Sequence, residues 1–173
     1  MTNLRLARLD DATAIARIYT QGIEDRIATF ETEPRSTVQL EAILCERGEA
    51  YPTVVAERDG RVFAWAGAAP YSERPCYAGI GACSVYVERA QRGSGAGRLV
   101  LMELIRVYEA LGFWKLTSRI FPENTASRAM CRACGFREVG TYRRHGQFDG
   151  RWRDCVIVER LLGPAANGSS LPR

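Results

Sequence analysis

The sequence predicts a single α/β domain of about six to seven strands and about four helices, and three observations carry that prediction. The first is a β-branched run, Ser84-Val85-Tyr86-Val87, that passes through a turn dense in glycine (Gly93, Gly95, Gly97) into a helix with apolar periodicity. The second is Asp59-Gly60 between two apolar runs, a two-residue hairpin signal. The third is size. At 173 residues and 46% hydrophobic content the chain builds one packed core and requires no second domain.

The elements follow in order. Leu4 and Leu6 alternate with Arg5 as a short strand. Asp10-Asp11 then caps a helix whose apolar positions Ile15, Ile18, Tyr19 and Ile23 recur at helical spacing, with Gly22 near its end. After an irregular segment at 28–34, Ser36 starts a second helix that runs to about Glu46. Residues 52–57 and 61–69 pair antiparallel across Asp59-Gly60. A strand over 81–87 feeds the glycine turn, and the helix after it, from about Gly95 to Leu111, stops at Gly112. A further strand spans 115–120, and 124–136 holds a short helix with a glycine C-cap. Two closing strands, from Arg137 to about Tyr142 and over 152–161, are joined by a turn region at 146–150. The domain therefore covers 1–162, and 163–173 lacks apolar periodicity and reads as a flexible tail.

Composition narrows the function. The net charge of +4 comes from scattered residues, mostly Arg, which favours a small anionic ligand over nucleic acid. No apolar stretch approaches the ~20 residues of a membrane span and the first residues hold no apolar signal core, so a cytoplasmic protein without a membrane partner is expected. The six cysteines, Cys45, Cys76, Cys83, Cys131, Cys134 and Cys155, are expected as free thiols. Cys131-x-x-Cys134 has no second pair, and His145 is the one histidine, so no metal is expected.

The glycine turn reads as an anion cradle. Missing Cβ atoms let successive backbone N–H groups and the positive end of the helix dipole face a phosphate, and Arg92 and Arg98 add positive charge. The spacing is R-x-x-G-x-G, neither the dinucleotide fingerprint nor the P-loop.

This loop resembles the acetyl-CoA loop of the GNAT N-acetyltransferases, and the element order resembles their fold, a mixed central sheet flanked by helices, over about residues 3 to 162. Phe30-Glu31-Thr32-Glu33-Pro34, Arg74-Pro75, Ser84-Val85-Tyr86-Val87 and Gly150-Arg151-Trp152-Arg153-Asp154 look like the phosphinothricin acetyltransferases. Gly112-Phe113-Trp114-Lys115, Pro122-Glu123-Asn124 and Tyr142-Arg143-Arg144-His145-Gly146 look closer to the arsinothricin branch of that group.

The resemblance implies an enzyme that moves acetyl from acetyl-CoA to the α-amine of a small anionic amino-acid analogue of the phosphinothricin, arsinothricin or methionine sulfoximine type. Attack would be direct, in a ternary complex; a homodimer is expected separately, as the commonest assembly of soluble proteins. Val85, Tyr86 and Val87 would pair with the pantetheine arm and polarise the thioester, which makes Tyr86 a catalytic position. Arg92, Gly93, Gly95, Ala96, Gly97 and Arg98 would hold the pyrophosphate. Asn124 and Ser127, one turn apart, would contact the cofactor, and Asn124 equally suits an N-cap. Cys131 stands where many relatives place a proton-donating Tyr, and reads either as the donor or as a buried space-filler.

On the acceptor side the resemblance implies Phe30, Glu33, Arg74, Ala82 and His145. Arg74 is an anchor for a carboxylate or phosphinate, or a solvated loop arginine. Phe30 is an apolar wall or a packing residue, and His145 reaches the site or sits exposed in a turn. Ala82 replaces a glutamate that the phosphinothricin acetyltransferases carry as a candidate base. A water chain, a carboxylate of the 30–33 loop, or Asp149 would then take the ammonium proton. The rival expectations are acetylation of a peptide N-terminus, lysine or polyamine, and a CoA-binding module without catalysis.

Overall fold

Seven strands pair into one sheet, in the order β1-β2-β3-β4-β5-β7-β6. They are β1 (Asn3–Leu6), β2 (Val54–Arg58), β3 (Arg61–Pro70), β4 (Ile80–Val87), β5 (Lys115–Ile120), β6 (Arg137–Phe148) and β7 (Arg151–Leu161). The helices are α1 (Ala12–Glu24), α2 (Thr37–Arg47), α3 (Ala96–Ala110), α4 (Thr125–Ala133) and a single turn, α5 (Gly163–Ala166). The computed structural model describes residues 1–168. The expected tail thus begins as a helical turn, and its last residues, 169–173, lie outside the described ones.

The central strands β2 and β3 are buried on both faces, and side-chain alternation sorts their residues between two cores. Val54, Ala56, Ala64, Ala66 and Ala68 face α3 and α4, packing with Val100, Leu101, Leu104, Tyr108 and Cys131. Val55 and Trp65, one residue out of phase, face α1 and α2 with Ile15, Ile18, Tyr19, Ile23 and Leu40. Each fully buried Leu or Ile contributes on the order of 1.5–3 kcal/mol. Every neighbouring strand pair is antiparallel except β4 and β5.

Several local expectations are corrected. Asp11 does not cap α1: its Oδ2 accepts from the Arg8 backbone N–H at 2.7 Å and from Arg5 Nη1 at 2.6 Å, so the carboxylate faces away from the helix. Ser36 does cap α2, in a reciprocal box with Gln39. Gly22 does lie near the end of α1, and a Cβ there would meet the Tyr86 ring at 2.7 Å. The last hairpin turns at Asp149-Gly150 alone, both at positive φ, and β6 runs on to Phe148. Gly146 is therefore a strand residue, paired with Arg153. Between the Tyr142–Cys155 and Gly146–Arg153 pairs β6 bulges, and Arg144 takes a positive φ there.

Candidate active site

The site begins where two strands part. β4 and β5 run parallel for three residue pairs, Ile80 with Lys115, Gly81 with Leu116 and Ala82 with Thr117. Beyond them β4 stays paired with β3 as far as Val87, and β5 stays paired with β7 as far as Ile120. The strands diverge, so from Cys83 to Val87 one backbone edge of β4 has no strand beside it. Such an edge is a template for an amide-bearing chain.

The α3 N-terminus lies at the end of that edge. Its N-cap is Gly95, left-handed at φ 86° and without a side chain to satisfy the first-turn N–H groups. Ser94 gives its hydroxyl to the Gln91 carbonyl instead. A Cβ on Gly93 or Gly95 would meet nothing within 4 Å, so the space in front of these groups is open. Gly97 has a different reason: its Cβ would lie 2.7 Å from Met130 Sδ, and the glycine lets α4 approach α3. Ala96 is buried with it. Arg98 is exposed and has no ion pair among the described residues. Arg92 has partners within the chain: it pairs with Asp25, and its Nε donates to the Val87 carbonyl at 3.2 Å.

Alternation puts Ala82, Ser84 and Tyr86 on the opposite face from Cys83, Val85 and Val87, and there they wall a cavity of about 170 Å³. Tyr19 of α1, Glu31, Arg35, Arg47 of α2 and Trp65 of β3 complete much of the lining. Tyr86 stacks on Trp65, with ring centroids 4.9 Å apart, and meets the edge of Tyr19 at 4.8 Å. Burial pushes the Tyr86 hydroxyl well above the usual tyrosine range. Glu31 binds Arg35 through both carboxylate oxygens, which raises the Arg35 pKa, while burial lowers that of Arg47.

The acceptor-side expectations divide against this cavity. Ala82 lines it. Glu33 is exposed and off the wall, and the carboxylate its loop presents is Glu31. Phe30 is a packing residue, edge-on to Phe121 at 4.8 Å and Phe148 at 6.3 Å. Arg74 is exposed, its guanidinium 5.9 Å above the Tyr77 ring, and does not reach the cavity. His145 sits exposed in the β6 bulge beside Tyr142. Asp149 is tied to Arg26 at 2.7 Å in the last turn, off the cavity.

Asn124 is committed at both ends of its amide. Its Oδ1 accepts from the Ser127 N–H at 3.1 Å and its Nδ2 donates to the Ile27 carbonyl at 3.2 Å, so it caps α4 and fastens the loop after α1. Cys131 is 5% exposed within the α3–α4 core, and burial, then neighbouring Cys134, push its thiol up to about 12. All six cysteines are free, and among the described residues no three potential ligands gather as a metal site. No helix among them is long and apolar enough to cross a membrane.

The chain and its fold are matched by known proteins. The pattern described as Acetyltransferase (GNAT) family matches residues 15–136. The chain belongs to the GNAT acetyltransferase family. As a GNAT protein it is an acyltransferase. A phosphinothricin N-acetyltransferase of Alcaligenes faecalis is 34% identical over 98% of this chain and 86% of its own. A phosphinothricin acetyltransferase from Sinorhizobium meliloti, solved in complex with acetyl-CoA, superposes with a TM-score of 0.90 at 31% identity, covering 99% of this chain and 93% of that one. A ribosomal-protein-alanine N-acetyltransferase from Brucella melitensis reaches 0.89 at 32% identity, over 92% and 99% of the two chains.

Sequence reasoning missed Arg47, Arg35, Trp65 and Tyr19 as site residues. A signal for Arg47 was present: it continues the α2 stripe Leu40, Ile43, Leu44, where a charge ends an otherwise apolar face.

Proposed function

We propose that this GNAT protein transfers acetyl from acetyl-CoA to the α-amine of a small amino acid with an acidic side-chain group, of the phosphinothricin or methionine sulfoximine kind. The observation that carries the reading is the double use of β4. One edge offers unpaired backbone next to the α3 N-terminus, and one face walls a cavity. The volume, about 170 Å³, holds on the order of a dozen water-sized groups, which suits a single amino acid.

Bound at the open edge, acetyl-CoA supplies an acetyl thioester. The backbone amides of Val85, Tyr86 and Val87 align its amide-bearing arm, and an N–H among them polarises the thioester carbonyl. Gly93, Gly95 and the first-turn N–H groups of α3 hold the pyrophosphate, with Arg98 near it. The cavity orients the acceptor so that its nitrogen lone pair attacks the carbonyl carbon; the C–N bond forms as the C–S bond breaks, and a thiolate leaves. Cys131 is a weak donor for that thiolate. Transfer from a thiol near 12 to one near 8.5 is uphill by roughly 5 kcal/mol, so solvent protonates the thiolate and Cys131 packs the core.

The test is release of free thiol from acetyl-CoA with L-phosphinothricin, L-methionine sulfoximine and an alanine-terminated peptide. Turnover with the amino-acid analogues is expected. Preference for the peptide favours the second reading, protein N-terminal acetylation, which the Brucella relative supports. Tight CoA binding without turnover on any amine leaves a CoA-binding module.

A further inference from the structure

We propose that Arg47 and Glu31 are the two poles of a zwitterion subsite in the cavity, Arg47 holding an acidic group of an α-amino acid and Glu31 receiving its ammonium. The inference rests on the acetyltransferase reading above and gives its acceptor a chemistry.

The cavity wall carries one carboxylate and two guanidinium groups, all three at partly buried positions. Arg35 and Glu31 satisfy each other through a two-pronged pair, with Arg35 Nε 2.9 Å from Glu31 Oε2. The guanidinium of Arg47 makes no hydrogen bond, ion pair or aromatic contact among the described residues. A cation withdrawn from water without a counter-charge is costly, and the cost is removed when a ligand brings the anion. A second donor waits on the same wall: Trp65 is 7% exposed, and its indole Nε1 is buried without a hydrogen-bond partner. Native proteins rarely leave such a group unsatisfied.

Glu31 complements Arg47. Arg35 uses two of about four lone-pair positions on its carboxylate, which leaves room for an ammonium. Its backbone N–H donates to Thr29 Oγ1 at 3.1 Å, and the adjacent Phe30 is wedged against Phe121 and Phe148, so the loop is held with Glu31 toward the cavity. With Ala82 on β4, Glu31 is the one carboxylate of the described lining. In the reaction an ammonium N–H bond breaks as a Glu31 O–H bond forms. The lone pair so freed attacks the thioester; the second nitrogen proton passes to solvent as the C–S bond breaks, the thiolate takes one from solvent, and Glu31 returns its own proton to solvent. The other titratable groups facing this site are Tyr19, Tyr86, Arg35 and Arg47.

The experiment is calorimetry and steady-state kinetics with L-phosphinothricin, L-methionine sulfoximine, L-glutamate and butylamine as probes. Arg47→Met is expected to weaken the acidic probes at least tenfold and to abolish their advantage over butylamine, with CoA affinity unchanged. Arg47→Lys should recover part of the loss. Glu31→Gln should lower kcat/KM about 100-fold, the low end for a lost general base, again with CoA affinity unchanged. The subsite is refuted if Arg47→Met binds the acidic probes like the parent, if Glu31→Gln keeps full kcat/KM, or if the parent binds none of the acidic probes at millimolar concentration. A parent that binds them through Arg47 yet releases no thiol overturns the acetyltransferase reading and leaves the Arg47 pole standing.

Discussion

Replacing Gly95 by alanine separates two demands on the loop ahead of α3, backbone strain and ligand approach. Gly95 holds φ 86°, where an L side chain costs on the order of 1–2 kcal/mol. For a chain of this length that lowers the Tm by about 2–8 °C. The added Cβ meets nothing within 4 Å, so the protein itself has space for it. That same space is where a phosphate must come to reach the first-turn N–H groups. Losing one charge-assisted hydrogen bond there costs about 1.5–3 kcal/mol, or about 10- to 150-fold in affinity. Gly97→Ala is the control, since it needs no positive φ and its Cβ meets side chains alone, the flexible Met130 at 2.7 Å and Val87 at 3.3 Å. It should change CoA affinity by less than about threefold, because helix propensity offsets much of the contact. Calorimetric titration with CoA, alongside thermal unfolding by circular dichroism, reads both effects. If Gly95→Ala is folded and binds CoA as tightly as the parent, the N-terminus of α3 is not the phosphate site.

Three further outcomes are expected. Cys131→Ala should cost about 1 kcal/mol of stability by denaturant titration, as a small core truncation, and leave kcat within about threefold of the parent; a tenfold fall with CoA binding intact would make Cys131 the proton donor after all. Ala82→Glu should give little gain in the parent but restore most of the kcat/KM lost in Glu31→Gln, because it returns a carboxylate to the same wall; no recovery in the double variant would show that Glu31 serves another purpose. Arg5→Met removes the partner of Asp11 and Glu57, each 2.6 Å from the guanidinium. Burial pushes the Asp11 carboxyl up, but the Arg5 and Arg8 hydrogen bonds outweigh it and hold it below the usual range, and Arg5 lowers Glu57. Depressed carboxylates stabilise the fold above their ordinary values near about 4 and lose that contribution as pH falls through the lower folded values. The stability difference between Arg5→Met and the parent should therefore be full at pH 7 and shrink below about pH 4; a pH-independent difference would assign Arg5 to packing alone.

What the amino-acid order determined is mostly local. Ser36 and Asn124 specify helix starts through side chains that reach a backbone N–H three residues on, and Asp59-Gly60 specifies a hairpin because both residues tolerate positive φ. The glycine turn before α3 was legible for the same reason, and with it the GNAT assignment. The second Asp-Gly turn, at 149–150, carried the same signal but lay inside a longer stretch read as loop. Tertiary structure alone decided which charges converge. Glu31 faces the cavity and Glu33 does not, because Phe30 wedges the loop in one orientation. Arg47 and Ala82 share a wall although a whole hairpin lies between them in the chain, while Arg74, nearer to Ala82 in sequence, is off it. Cys131 falls on the α3–α4 side of the sheet, where it packs in the core and burial pushes its thiol up. The opening between β4 and β5 is written in neither strand, since it arises where each keeps its outer partner and the two can no longer follow each other. Turn and cap chemistry acts over a few residues and can be read in order; convergence of side chains depends on sheet register and on which helix covers which face, and these are set by packing the whole domain at once.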